Sequence, residues 1–207
     1  VRQTHDDLVT NLAAYGEWAA GAGRGAASLV LLTIGTGIGS GIILDGELWT
    51  GACGFAGELG HVVVNPEGEV CNCGVRGCLE TETSAPTIVK NYRAFSGRDE
   101  PVTAEDVYLK AKAGDSDARQ SFAKAGYYLG IGLGIVVNFL NPEKILLGGG
   151  VMTTGEYLMG PAVAEARRRC FKASFSCCSI EKAVLGNDAG LVGAAAWAKS
   201  RLAKRGA

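Results

Sequence analysis

The sequence predicts an α/β domain with a mixed sheet, and three observations predict it. Two apolar runs, "ASLVLLTIG" and "SGIILDG", lead into Asp45-Gly46 and then "ELWT", the pattern of consecutive hairpins. Beyond residue 84 the pattern becomes helical. The last third then alternates "EKILLGGG", a helical stretch, "CSIEKAVLG" and a final helical stretch. That is the order of β-α-β-α units, whose strands run parallel, so hairpins and crossovers share one sheet.

Each element follows from local pattern. From Asp7 to about Gly21, Leu8, Leu12, Tyr15 and Ala19 recur at helical spacing, with Asp6 and Asp7 where acids suit the helix dipole. After the hairpin strands, "HVVV" reads as a further strand. Helices are expected from Ser84 to about Phe95, from Thr103 to Ala113 with Thr103 as cap, and from Asp117 to about Leu140. A helix near 155–173 and a last one from Asp188 complete the order. The helix over 117–140 carries Gly126, Gly130, Gly132 and Gly134, each costing up to about 1 kcal/mol relative to alanine. Close packing against another element would offset that cost.

Composition narrows the function. A chain of 207 residues can hold one sizeable core, or one domain with an extra subdomain. With 20 basic and 21 acidic residues the net charge is -1, which argues against nucleic acid or an anionic membrane and for a compact partner. "VRQTHDDLVT" has no apolar run, and "IGLGIVVNFL" is too short to span a bilayer, so a cytoplasmic chain is expected. It begins with Val1 rather than Met.

Seven cysteines are present, and the close spacing of Cys71, Cys73 and Cys78 suits thiolates on a metal better than a disulfide framework. With His61 they make a full tetrahedral set for zinc, and Gly74 and Gly77 allow the tight fold between them. Four protein ligands leave no open position, so such a metal is structural. Cys53, Cys170, Cys177 and Cys178 read as ordinary thiols. Glu58 and Glu80 flank the loop. By charge alone they read as solvated carboxylates, but beside a clamped loop they can accept hydroxyl hydrogen bonds from a polyol, and the second ring nitrogen of His61 can join them.

"LTIGTGIGSGIILDG" sets Gly35, Gly37, Gly39 and Gly41 at alternate positions around Thr36, offering bare amides to phosphate oxygens. It is no dinucleotide fingerprint, since Ser40 and a strand stand where glycine and a helix belong, and a tight hairpin accounts for the glycines equally well. Gly148, Gly149 and Gly150 follow a buried strand and precede a helix, a second place where nucleotide lies on such folds.

Taken together these stretches resemble the ROK family of bacterial sugar kinases and sugar-responsive repressors. "LTIGTGIGSGI" looks like its second phosphate motif, "GELGH" like its Glu-x-Gly-His sugar motif and "CNCGVRGCLE" like its zinc loop. "NPEKILLGGGV" and "GNDAGLVGAA" look like its nucleotide strand and last helix. The resemblance implies an actin-like ATPase (ribonuclease H-like) fold, with residues 27–207 as its C-terminal domain, a zinc loop over 61–80, and residues 1–26 as a leading helix from the interdomain region. It implies that Glu58, His61 and Glu80 hold sugar, that Gly35, Thr36, Gly37 and Gly149 meet nucleotide, and that zinc is structural with ATP and Mg as co-substrate. It allows a homodimer and leaves the sugar open among glucose, mannose and N-acetylated amino sugars.

The chain also departs from the family pattern. The Asp-x-Gly-Gly-Thr phosphate motif of family kinases is not among these residues, and "TNLAAYGE" aligns so that Asp7, Leu8 and Val9 stand where Glu, Asn and the catalytic Asp belong. Valine cannot accept a proton. Asp7, the one acidic substitute, lies two helical positions away, about 3 Å along the axis and roughly 200° around it. The expectation is therefore the later portion of an ATP-dependent hexose kinase of the glucokinase type, inactive or weak alone. The alternative is a non-catalytic sugar-binding regulator or degenerate kinase; no winged helix-turn-helix is visible, and "EARRRC" reads as a solvated helix face.

Overall fold

The computed structural model describes residues 5–205, with side chains over 8–153 and 155–203. A helix α1 (His5–Ala20) leads into β1 (Leu29–Ile34), β2 (Ile38–Leu44) and β3 (Glu47–Trp49). Helices α2 (Leu79–Thr83), α3 (Ala85–Ser96), α4 (Ala104–Lys112) and α5 (Ser116–Leu140) follow, then β4 (Lys144–Gly148), α6 (Glu156–Arg169), α7 (Lys172–Ser176), β5 (Ser179–Lys182) and α8 (Ala189–Arg205). The sheet order is β3-β2-β1-β4-β5. β1, β2 and β3 pair antiparallel, whereas β4 pairs parallel with both β1 and β5. The expected mixed sheet is thus present, with β1 at its centre.

Alternate residues of β1 feed two cores, as the period of a strand requires. Val30, Leu32 and Ile34 pack with Phe122, Leu129 and Leu133 of α5, while Leu29 and Leu31 pack with Ala13, Ala14 and Tyr15 of α1. A strand covered on both faces reads as a continuous apolar run, which is why "LVLLTI" lacks polar alternation.

The glycines of α5 do what close packing demands. A Cβ on Gly126 would lie 2.8 Å from the Leu158 carbonyl oxygen, and one on Gly130 would lie 2.6 Å from that of Ala162. α5 and α6 therefore touch backbone to backbone. By length and composition α5 is long and apolar enough to cross a membrane, against the expectation from its last ten residues alone; here Phe122, Leu129 and Leu133 are fully buried against the sheet side. A second close crossing joins α1 to α8, where a Cβ on Gly193 would fall 1.7 Å from the Leu12 carbonyl oxygen.

Caps define several boundaries. Asp115 Oδ1 accepts from the Asp117 and Ala118 amides at 2.9 and 3.0 Å and starts α5, and Asn141 closes it at φ 45°. Thr103 and Asp106 form a reciprocal capping box on α4.

Two expectations need correction, and one element lay beyond them. "HVVV" is no strand of the sheet: Leu59–His61 is a single 3-10 turn, and Val63 makes an isolated bridge to Cys78. The turn is pressed onto β2 so closely that a Cβ on Gly60 would lie 2.3 Å from the Ile38 carbonyl oxygen, and that packing overrides the β-propensity of three valines. The helix expected over 155–173 breaks at Cys170, which takes an extended φ/ψ between α6 and α7. The short α2, carrying Glu80, was not anticipated, since five residues hold too little periodicity to read.

Candidate metal centre and ligand cavity

The loop between Val62 and Cys78 is folded mainly by its own backbone. Val64 and Asn65 amides donate to the Gly77 carbonyl, Cys71 to Val75, Gly74 to Cys71 and Gly77 to Glu69. Gly77 sits at φ 74°, and a Cβ there would lie 1.5 Å from the Asn65 carbonyl oxygen. Only glycine fits this left-handed, crowded position.

These bonds bring four soft donors together. His61 Nδ1 lies 3.6 Å from Cys71 Sγ, and Cys73 Sγ lies 3.6 Å from Cys78 Sγ. The four ligand atoms of His61, Cys71, Cys73 and Cys78 all fall within 4.8 Å of one another. A tetrahedral ion bonded to sulfur at about 2.3 Å and nitrogen at about 2.0 Å sets neighbouring ligand atoms about 3.5–3.8 Å apart, which the His61–Cys71 and Cys73–Cys78 separations match. Burial pushes the Cys78 thiol up to about 12, with the neighbouring sulfurs adding, while the Val75 backbone hydrogen bond holds Cys73 below its ordinary value. An incoming ion must therefore displace a proton held at Cys78. The other cysteines lie outside the cluster; Cys178, just before β5, is pushed up to about 11 by burial.

The cluster borders a cavity of about 620 Å³. Its floor is the turn between β1 and β2, residues 35–37, with the first residues of β2, and its walls include Thr10, Glu58, His61, Asn72 and Glu80. His61 faces both ways. Nδ1 meets the sulfurs, while Nε2 looks toward Glu58 Oε2 at 3.9 Å. Glu80 Oε2 accepts from the Ile38 amide at 2.9 Å, and a Cβ on Gly37 would stand 2.5 Å from that oxygen. Cys71 Sγ lies 3.9 Å from Glu80 Oε1. The Ser40 hydroxyl donates to the Gly57 carbonyl and accepts from the Leu59 amide at 3.3 Å, fixing the turn that carries Glu58 and His61.

The structure thus brings the expected residues Gly35, Thr36, Gly37, Glu58, His61, Glu80 and Gly149 to one cavity. Gly149 has φ 87°, with its Cα so close to β1 that a Cβ would fall 2.4 Å from the Ile34 carbonyl oxygen. Val9 also lines the cavity and is 47 % exposed, offering a methyl surface where the resemblance calls for a proton acceptor. The backbone of Asp7 belongs to α1, but its side chain lies outside the described residues.

A second cavity of about 190 Å³ adjoins the first and shares Thr33 and Gly149 with it. Leu31, Leu147 and Met152 give it apolar walls, and Glu17 and Lys182 also reach it. Glu17 is fully buried: Oε1 accepts from the Val184 and Leu185 amides at 2.8 and 2.7 Å, and Oε2 from Ala22 at 2.9 Å. One carboxylate so fastens α1 to the loop before α8. Sequence reasoning missed Glu17; the available signal was a lone acid in the apolar run "AAYGEWAA".

Comparison with known proteins fits this geometry. Residues 4–201 match the family model described as the ROK family. The glucokinase of Halalkalibacterium halodurans is 40 % identical over 202 residues, which cover 90 % of this chain and 61 % of that protein. Among solved structures, a ROK family glucokinase from Streptomyces griseus in complex with glucose and AMPPNP superposes with a TM-score of 0.80 at 32 % identity, covering 90 % of this chain and 65 % of the other. A ROK family transcriptional regulator, a homologue of the E. coli MLC protein, gives 0.81 at 33 % identity, covering 90 % and 49 %. The chain spans about three fifths of the length of the curated glucokinase. Its mixed α/β sheet is shared with ROK sugar kinases, which have the actin-like ATPase fold, and the chain belongs to the ROK family.

Proposed function

We propose that this chain is the sugar- and nucleotide-holding portion of an ATP-dependent hexose kinase of the glucokinase type. The observation that carries the reading is the double orientation of His61, with Nδ1 on the sulfur cluster and Nε2 in the cavity beside Glu58. A structural zinc held by His61, Cys71, Cys73 and Cys78 fixes that ring, and Glu80, two residues after Cys78, is set by the same loop. Glu58, His61 and Glu80 then accept and donate hydrogen bonds to sugar hydroxyls. Gly35, Thr36, Gly37 and Gly149 present backbone to the nucleotide phosphates without Cβ atoms in the way. In this reading residues 27–207 are the C-terminal actin-like domain and residues 1–26 belong to the interdomain region.

ATP with magnesium supplies the phosphoryl group when bound. The chain's own residues position the acceptor, but Val9 cannot take its proton. Loss of a general base costs about 10²–10⁴-fold in rate, so the 207-residue chain binds sugar without appreciable transfer. Calorimetry should detect glucose binding that His61→Ala abolishes, while a coupled ATP–glucose assay stays at background. Robust phosphorylation would refute the inactivity, absence of glucose binding would refute the glucokinase-type reading, and absence of binding to glucose, mannose and N-acetylated amino sugars alike would refute the sugar site.

A second reading, a non-catalytic sugar-binding regulator, is favoured by Val9 and by the likeness to the ROK regulator. AMPPNP binding separates the two. A kinase portion takes the nucleotide analogue, and a regulator that has given up chemistry does not need to.

A further inference from the structure

Lys182 is the last residue of β5 and reaches the smaller cavity. Its ammonium comes near the start of α6, where a Cβ on Gly155 would lie 3.4 Å from Nζ. Among the described residues it has no ion pair and no hydrogen bond. The acids around it are engaged elsewhere. Glu181 points to Lys144 at 3.6 Å, both oxygens of Glu17 are taken by backbone amides, and Glu156 lines a separate groove with Met159 and Arg167. An exposed cation without a counter-anion among the described residues therefore lines a cavity that is otherwise largely apolar and that shares Thr33 and Gly149 with the larger cavity over the turn of β1 and β2.

We propose that Lys182 is an anion contact of the nucleotide site, meeting a phosphate oxygen of a nucleoside polyphosphate laid across Thr33 and Gly149. The inference rests on the nucleotide reading above and adds a charged residue to what that reading assigns. The ammonium acts as a point charge on a flexible stem, so it needs no bidentate geometry. Lys182 is exposed, so its contribution is modest and screened by salt.

Titration of ADP into the chain and into Lys182→Met and Lys182→Arg variants, at low and high salt, tests this. Methionine keeps most of the stem and removes the charge. The Met variant should bind ADP about fivefold more weakly at low salt, the Arg variant should recover most of that loss, and high salt should close the gap. Unchanged ADP affinity in Lys182→Met overturns the proposal, as does a loss that neither arginine nor salt relieves, which would assign the effect to packing. A parent chain that binds no ADP at all removes the nucleotide reading itself, and Lys182 with it. Thermal unfolding of each variant confirms that affinity is compared between folded proteins.

Discussion

The α5–α6 pair and the loop from Val62 to Cys78 are held by opposite means. In the helix pair, Phe122, Leu129, Leu133, Leu158 and Ala162 are fully buried, and glycines let two backbones meet over a long face. In the loop, Val63, Val70 and Val75 are 41 %, 59 % and 46 % exposed, and cohesion comes from a few backbone hydrogen bonds around four donor atoms that could hold a metal. The first arrangement spreads its stabilisation over area and yields by degrees. The second concentrates it in a handful of atoms, so with the proposed metal bound, loss of one ligand should loosen the loop and the His61 ring that it orients.

Four measurements break or sharpen that contrast. The largest effect belongs to the buried pair: Phe122→Ala should lower unfolding free energy by about 4 kcal/mol in denaturant titrations, with metal content unchanged. A metal-free variant there would mean that the two regions are not independent. Cys73→Ser should weaken metal binding by more than about a hundredfold, and hydrogen exchange should quicken at the Val64, Cys71 and Gly77 amides and not along α5. Protection lost equally in α5 would erase the distinction. Gly130→Val, which forces a side chain onto the Ala162 carbonyl, should cost about 2 kcal/mol by overpacking and leave exchange in the loop as it was. The smallest effect is Asp115→Ala, about 1 kcal/mol for a lost helix cap.

The last of these carries a pH signature. The Ala118 and Asp117 amides, with Arg98 nearby, hold the Asp115 carboxyl below its usual range. A depressed carboxylate stabilises the fold above its ordinary pKa, and that contribution disappears as pH falls through the lowered value. The parent and Asp115→Ala should therefore differ at neutral pH and converge in strong acid.

The sulfur cluster and the glycine-rich turn between β1 and β2 were legible because they are local: Cys71, Cys73 and Cys78 are close neighbours in the chain, and Gly35, Thr36 and Gly37 are consecutive. The glycines of α5 were legible as a cost needing compensation, though not which helix supplied it. The second cavity was not legible at all. It exists only where α1, the end of β4 and the segment before α8 converge, and Glu17 meets Val184 and Leu185 across more than 160 residues of chain. "HVVV" misled because its local preference is real, but the turn's packing on β2 and the reach of His61 to Cys71 decide its path.

The crossing of α1 and α8 leaves no space for even a methyl group between Gly193 and the Leu12 backbone. The two helices are consequently coupled in position at that point. A wedge introduced at Gly193 would tilt the near end of α1, and Thr10 and Val9, less than a turn away, would shift at the rim of the larger cavity before any residue lining it had been altered.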